Sequence, residues 1–330
     1  MADFHGCLDL VDRLKELDGD DVVPACGTHL LCHGRQTDEA VVLLHGFTNA
    51  PVQCRELAEA FFDQGANVLV PRIPFHGLVD PFAEEMSRLT PDVLTDFTDK
   101  VVDASLCLGK RLRVIGLSLG GLLAAYAGKN RDEVAEVGLI APFFQPKAVP
   151  VWIDAPFDEA MKALPDHYNW WNPKLHQVEV AGTFAYPKFS LKAVAAQIHL
   201  RRHLELTPSP RTTKLGRVLL LLNDADIAVR ADVARRVVAE QLVPIAEKAD
   251  EEVIEASYGF THDVWEPNGD NREKMDAVRD RLWPVLGLTA PAHGSLSGPT
   301  PGGGYFPDLG PWAGTPAPDD WPTFDAHCAS

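Results

Sequence analysis

Five consecutive residues, Gly116-Leu117-Ser118-Leu119-Gly120, place a serine between two spaced glycines. A serine hydroxyl becomes a nucleophile when a neighbouring base accepts its proton. The pattern alone is weak, because glycine makes up about 7% of ordinary protein sequences. The chemistry that the pattern suggests is attack of the Ser118 hydroxyl on an acyl carbonyl. Whether Ser118 has that role depends on the residues around it.

The flanking sequence supports the role. Residues 113–117 are predicted to form a strand and residues 119–129 a helix, so Ser118 would lie on a sharp turn from strand to helix. Such a turn leaves no room for a Cβ at position 116 or 120, which explains both glycines. The amino end of the following helix would also bring a partial positive charge near a developing oxyanion.

The base and the acid are expected after the last two predicted strands. His262 is the one histidine between the strand predicted over residues 253–256 and the helix predicted over residues 272–286. Asp226, three residues before Val229, is the expected acid, and Asp224 is the alternative. An acid in this role fixes the tautomer of the imidazole, and the order Ser, Asp, His is typical of one large hydrolase fold.

An oxyanion requires two backbone N–H donors. Leu119, directly after the candidate nucleophile, would supply one, and Phe47, in the turn over residues 45–51, would supply the other. His45 and His76 lie in glycine-containing loops, where we expect them to shape the backbone rather than take part in chemistry.

The elements that must position these residues alternate along the chain. Strands are predicted at 41–44, 67–70, 113–117, 137–140, 217–222 and 253–256, and helices at 51–64, 94–108, 119–129, 232–241 and 272–286. This alternation predicts an α/β fold with a mostly parallel, doubly wound sheet and helices on both faces. Residues 1–142 and 214–287 would form its core.

Two regions depart from this alternation. Residues 143–213 have no predicted strand and many aromatic residues, so we expect an insertion that forms a lid. Its Trp152, Trp170 and Trp171 are candidate substrate contacts. Residues 288–330 are rich in proline and glycine and are predicted to be a tail.

Composition narrows the function classes. The formal net charge of −17 disfavours nucleic acid as a partner, and no apolar run is long enough for stable membrane insertion. The start of the chain does not resemble a secretory signal, so we expect a cytoplasmic protein with reduced cysteines, a Cys26–Cys32 disulfide being the alternative. A basic cluster at residues 199–203 would be a solvated helix face or a site for a substrate anion.

Four segments (residues 41–51, 70–77, 116–121 and 223–229), together with the pair His262-Asp263, resemble the α/β-hydrolase superfamily. Within it they are most similar to the bacterial carboxylesterase and monoacylglycerol-lipase-like branch. The resemblance implies that Ser118, Asp226 and His262 hydrolyse a small-molecule carboxylic ester through an acyl-enzyme. The aromatic residues of the expected lid suggest that the acyl group is apolar. No metal and no cofactor are expected, because the sequence has neither His or Cys residues at metal-ligand spacing nor a glycine-rich phosphate-binding loop. Phe75 departs from the family, which usually has glycine there, and the tail is not part of the family pattern.

Other activities fit the same residues. A thioesterase, a carbon–carbon hydrolase or a perhydrolase would use the same three side chains. Dehalogenases and epoxide hydrolases are disfavoured, because they use aspartate where this chain has Ser118. A non-catalytic binding protein on this fold is the alternative from another class, although such proteins often lose one of the three residues.

Overall fold

The computed structural model describes residues 3–171, 184–260, 262–264 and 272–289, with side chains in the last range described from residue 276 onward. The strands are β1 (His29–Leu31), β2 (Thr37–Leu44), β3 (Asn67–Val70), β4 (Gly109–Leu117), β5 (Val134–Ile140), β6 (Tyr168–Trp170), β7 (Lys188–Ser190), β8 (Leu215–Asn223) and β9 (Ala246–Ile254). The helices are α1 (Phe4–Lys15), α2 (Arg55–Asp63), α3 (Pro91–Ser105), α4 (Leu119–Asn130), α5 (Asp154–Ala163), α6 (Leu191–Leu206), α7 (Ala231–Val237) and α8 (Arg272–Val285). Within this described part of the chain, every helix is too short or too polar to cross a lipid bilayer.

The main sheet has the strand order β1-β3-β2-β4-β5-β8-β9. All neighbouring pairs are parallel except β1 and β3. The central strands carry continuous apolar runs that are buried, such as residues 41–44 of β2 and 218–222 of β8. Such runs are typical of strands covered on both faces. The predicted α/β fold with a mostly parallel, doubly wound sheet is confirmed.

Both edges of the sheet differ from the prediction. The antiparallel edge strand β1 was not expected, and β9 begins at Ala246 rather than at residue 253. The first half of β9 is mostly exposed and charged, so it carries no apolar signal. Charged side chains on an edge strand discourage pairing with other chains, and they also hide the strand from a search for apolar runs.

Residues 143–213 are more regular than expected. The expectation of no strand there is wrong, since β6 and β7 pair as a short antiparallel hairpin. Each has three residues of mixed polarity, too few to show an alternating pattern. Helix α6 packs against α3, α4 and α5. The lid role of this region stays a prediction; residues 172–183, and the tail from residue 290, lie outside the described residues.

The basic cluster on α6 is only partly the expected solvated helix face, because His203 is exposed whereas Arg201 is not. Arg201 is buried and forms ion pairs with Asp154 and Glu205, while His199 Nδ1 lies 2.7 Å from the carboxylate of Asp158. Both aspartates belong to α5, so these side chains link α5 to α6. The spacing of basic residues along α6 could not show that two of their acidic partners, Asp154 and Asp158, lie on α5.

Cys7 of α1 and Cys107, which follows α3, form a disulfide with their Cα atoms 5.8 Å apart. The expectation of reduced cysteines is therefore wrong for this pair. They lie 100 residues apart in the chain. Sequence spacing gave no reason to pair them, because only the packing of α1 on α3 brings them together. The alternative of a Cys26–Cys32 disulfide is wrong as well, since Cys26 retains its thiol.

Gly116 offers a test of the turn between β4 and α4. A Cβ at Gly116 would lie 2.1 Å from the backbone of Gly120, so Gly116→Ala should lower the free energy of unfolding by more than about 4 kcal/mol. Gly65 is the matched control, because a Cβ there meets nothing within 4 Å and only its φ of +94° is unfavourable. Gly65→Ala should lose about 1–3 kcal/mol. Urea unfolding followed by circular dichroism measures both, and equal losses would contradict the prediction.

Candidate active site

The loops after β2, β4, β8 and β9 gather the sequence-predicted residues at one edge of the sheet. These four strands belong to one parallel set, so their carboxyl ends share that edge. Ser118 directly follows β4, Asp226 lies in the loop after β8, and His262 lies in the loop after β9. We call residues 45–51 the β2 loop, residues 224–230 the β8 loop, and residues 255–260 with 262–264 the β9 loop. Open α/β sheets commonly bind ligands at this edge.

Ser118 has an unusual backbone conformation, with φ 56° and ψ −112°. A residue with a side chain held there costs about 1–3 kcal/mol of strain. Its N–H donates to the carbonyl of Ile140 at 2.9 Å, and its carbonyl accepts from the N–H of Phe143 at 2.9 Å. The end of β5 and the segment after it therefore hold Ser118 in this conformation from both sides.

Gly120 sets how closely α4 approaches β2. A Cβ on this residue would lie 2.1 Å from the carbonyl oxygen of Leu44, the last residue of β2. Because Gly120 has none, the first turn of α4 rests against the start of the β2 loop. This contact brings the amide of Leu119 close to the loop that contains Phe47.

Asp226 is fixed by three contacts. Its Oδ1 accepts from the N–H groups of Ala228 and Val229 at 2.7 and 2.9 Å, and its Oδ2 lies 2.7 Å from Nδ1 of His262. Asp226 is 4% exposed, whereas Asp224 points into solvent. The structure thus brings Asp226, and not Asp224, to the histidine.

The bond between His262 and Asp226 decides which imidazole nitrogen is available. A carboxylate accepts hydrogen bonds, so Nδ1 of His262 carries the proton and Nε2 is left as an acceptor. The β9 loop is also held by Asn223, whose Nδ2 donates to the carbonyl of Phe260 at 2.9 Å. His262 therefore has the tautomer that a general base requires.

The two candidate oxyanion donors are the amides of Phe47 and Leu119. In the part of the chain that the structure describes, neither N–H has an intramolecular acceptor. Thr48 follows with φ +65°, and its carbonyl accepts from the N–H of Tyr186 at 2.7 Å. Tyr186 thereby restrains the β2 loop at the residue that follows Phe47.

The two loop histidines have structural hydrogen bonds, as expected. His45 Nε2 accepts from the N–H of Ile73 at 3.1 Å, so its Nδ1–H donates to the carbonyl of Gly46 at 2.9 Å. His76 Nδ1 lies 3.0 Å from the carbonyl of Pro74 and donates to it. Burial lowers the pKa of His45 well below its ordinary value and that of His76 to about 4, so both are neutral near pH 7.

The three candidate tryptophans lie in different surroundings. Trp171 Nε1 donates to Thr48 Oγ1 at 3.0 Å, and its ring meets that of Phe47 edge-on at 6.4 Å between centroids. Trp170 packs against Phe82 instead, and Trp152 is 82% exposed beside α5. Only Trp171 among the three has a described contact with the β2 loop.

Sequence reasoning missed the residues that join the loops, among them Gln53, Asn223 and Tyr186. Asn223 had a local signal, because a polar residue ending an apolar strand suggests a capping role. Gln53 and Tyr186 had none, since their partners lie far away in the sequence. No group of three or more His, Cys, Asp or Glu side chains within the described residues is arranged to hold a metal ion.

Comparison with known proteins supports the fold. Residues 35–196 match the Hydrolase_4 family, described as "Serine aminopeptidase, S33". Monoacylglycerol lipase from Paleococcus ferrophilus has 18% identity and a TM-score of 0.54, covering 76% of this chain and 96% of that one. Monoglyceride lipase from Saccharomyces cerevisiae has 12% identity and a TM-score of 0.55, covering 77% and 89%.

The chain has the α/β-hydrolase fold. In sequence, a thermostable monoacylglycerol lipase from Bacillus sp. (strain H-257) is 34% identical over 100 residues. That alignment covers 29% of this chain and 38% of the lipase's own length. The family match includes Phe47, Ser118 and Leu119 but ends before Asp226 and His262. The last two residues are placed at the site by the structure alone.

The buried histidines His45 and His76 predict acid sensitivity. The folded protein binds fewer protons than the unfolded chain between pH 6.5 and pH 4, because the pKa of buried His76 is lowered to about 4. The free energy of unfolding should therefore fall as the pH is lowered through this window, by up to about 3 kcal/mol from His76. Above pH 6.5 this contribution is fully present.

His76→Asn keeps a donor for the carbonyl of Pro74 and removes the titrating ring, so it should flatten this dependence. Urea unfolding at intervals from pH 4 to 7.5 measures the slope. His5→Asn, at an exposed position on α1, is the control and should leave the slope unchanged. Equal slopes for wild type and His76→Asn would contradict the assignment.

Proposed function

We propose that this protein is an α/β-hydrolase that cleaves carboxylic esters through an acyl-enzyme formed on Ser118. The observation that carries the proposal is the 2.7 Å contact between Asp226 and His262, at the sheet edge where the strained turn presents Ser118. An acid, a base in the required tautomer and a serine on a strand-to-helix turn together support nucleophilic catalysis.

Acylation begins when Ser118 Oγ attacks the ester carbonyl carbon and His262 Nε2 accepts the hydroxyl proton. Asp226 stabilises the imidazolium that forms, while its own proton count stays unchanged. The carbonyl oxygen becomes an oxyanion between the amides of Phe47 and Leu119. Each such donor contributes about 3–4 kcal/mol to transition-state stabilisation in well-studied cases.

The tetrahedral intermediate then collapses, the bond from carbon to the alcohol oxygen breaks, and His262 gives its proton to the leaving alkoxide. Water repeats the sequence on the acyl-enzyme. His262 takes a proton from the water as it attacks the acyl carbon, and returns it to Ser118 Oγ when the carboxylic acid leaves. Asp226 holds the ring of His262 in one orientation throughout.

The proposed substrate is an ester with an apolar acyl group. The rings of Trp171 and Phe189 lie 4.2 Å apart between centroids, and Trp171 also contacts Phe47. An apolar wall beside the proposed oxyanion site suits a hydrocarbon chain. The name of the Bacillus relative supports a monoacylglycerol as the first substrate to test. The same three residues would also support cleavage of a thioester or of a carbon–carbon bond.

The decisive variant is Ser118→Ala. Wild type should react with a fluorophosphonate probe and hydrolyse p-nitrophenyl esters and monoacylglycerols. Ser118→Ala should lose labelling, and its kcat should fall on the order of 10⁴- to 10⁶-fold. An unchanged circular dichroism spectrum shows that the variant is folded. Since the matched family is described as a serine aminopeptidase, an aminoacyl p-nitroanilide belongs in the substrate panel.

Two results would contradict the proposal. Substantial activity in Ser118→Ala would exclude this nucleophile. Faster hydrolysis of the anilide than of every ester would keep the triad but replace the proposed substrate class.

The two aspartates of the β8 loop provide a matched pair. Asp226→Asn disturbs the carboxylate that contacts His262, so kcat should fall about 10⁴-fold. Asp224→Asn makes the same change at an exposed side chain two residues away and should leave kcat close to that of wild type. Initial rates with a p-nitrophenyl ester test both, and the reverse order of losses would move the acid to Asp224.

A further inference from the structure

We infer that Gln53 is a positioning residue that sets the β9 loop, with His262, against the β2 loop, with Phe47. Gln53 lies in the short 3-10 turn Pro51–Cys54, which begins at the last residue of the β2 loop, and it is 6% exposed. The inference deepens the proposed function and rests on it. It assigns a task to a buried polar side chain that the proposed chemistry leaves unused.

Two hydrogen bonds define the connection. Gln53 Oε1 accepts from the N–H of Gly46 at 2.8 Å, and Gln53 Nε2 donates to Asp263 Oδ2 at 2.5 Å. Gly46 directly precedes Phe47, and Asp263 directly follows His262. One amide group therefore joins the neighbour of a proposed oxyanion donor to the neighbour of the proposed base.

The chemistry of the two partners fixes the amide's orientation. The N–H of Gly46 requires an acceptor and the carboxylate of Asp263 requires a donor, and an amide supplies one of each. A glutamate of nearly the same shape would place a second carboxylate against Asp263. A buried amide with both ends bonded is also more costly to disturb than an exposed one.

The connection spans a wide part of the sheet. Strands β2 and β9 are separated in the sheet by β4, β5 and β8, and Gln53 and Asp263 lie 210 residues apart in the chain. Contact between neighbouring strands cannot explain why their loops meet. Asp226 and Asn223 hold the β9 loop from the β8 side, whereas Gln53 holds it from the β2 side.

This geometry has a kinetic consequence. The proton must pass between Ser118 and His262 while the oxyanion forms at Phe47, so the two loops must keep a fixed separation. A misplacement of about 1 Å in such an arrangement can reduce the rate about 100-fold. Loss of the connection should therefore lower kcat much more than it raises KM.

The test uses nearly isosteric substitutions so that the variants fold. Gln53→Glu places two carboxylates together, and its kcat should fall about 10- to 100-fold. Asp263→Asn keeps an acceptor for Gln53, and its kcat should stay within about threefold of wild type.

The double variant combines both substitutions. The carboxylate introduced at position 53 can accept from both the N–H of Gly46 and the amide introduced at position 263, so kcat should recover to that of Asp263→Asn. Gln64→Glu adds the same charge at an exposed position and should change nothing.

Three measurements separate positioning from folding. Fluorophosphonate titration counts active sites, steady-state rates give kcat per site and KM, and thermal unfolding gives Tm. A purely structural role would lower the Tm of Gln53→Glu and leave kcat per site unchanged, which would overturn the inference. Failure of the double variant to recover would overturn it as well. Absence of labelling in wild type would overturn the proposed function first, and this inference with it.

Discussion

The site depends on one close approach, between the carboxyl end of β2 and the first turn of α4. Gly120 allows it, because any side chain there would strike the carbonyl of Leu44. Once α4 begins at this point, Ser118 must turn sharply into a conformation that residues with side chains rarely adopt. The hydrogen bonds to Ile140 and Phe143 hold it there, so the sheet compensates for the strain of the turn.

The other candidate catalytic residues lie on loops around Ser118. Each of these loops needs contacts of its own to hold it in place. Asp226 is hydrogen-bonded to the backbone of its own loop, and Asn223 joins the end of β8 to the β9 loop. Gln53 joins the β9 loop to the β2 loop. Most of these contacts join a side chain to a backbone group, and all of them are at least partly buried. Buried polar groups are stable only when they are bonded, so each tie resists movement of the loop that it holds.

The sequence predicted the features that have local causes. The strand-turn-helix around Ser118 follows from apolar runs and two glycines, and the parallel sheet follows from the alternation of strands and helices. It did not predict β9 at its full length, the β6–β7 hairpin or the disulfide between Cys7 and Cys107. These depend on exposure, on very short elements or on contacts between distant segments. Gln53 belongs with them, because nothing near residue 53 indicates a partner at residue 263.

The choice between Asp224 and Asp226 shows where local reasoning ends and packing begins. Both follow the same strand at positions that suit a turn, and spacing from Val229 favours one without excluding the other. The structure separates them by burial, since Asp226 turns inward to accept from Ala228 and Val229 while Asp224 remains in solvent. A carboxylate that is both buried and fully hydrogen-bonded keeps its orientation when the neighbouring imidazole gains a proton. Geometry of this kind is what allows a short turn after β8 to orient a histidine on the loop after β9.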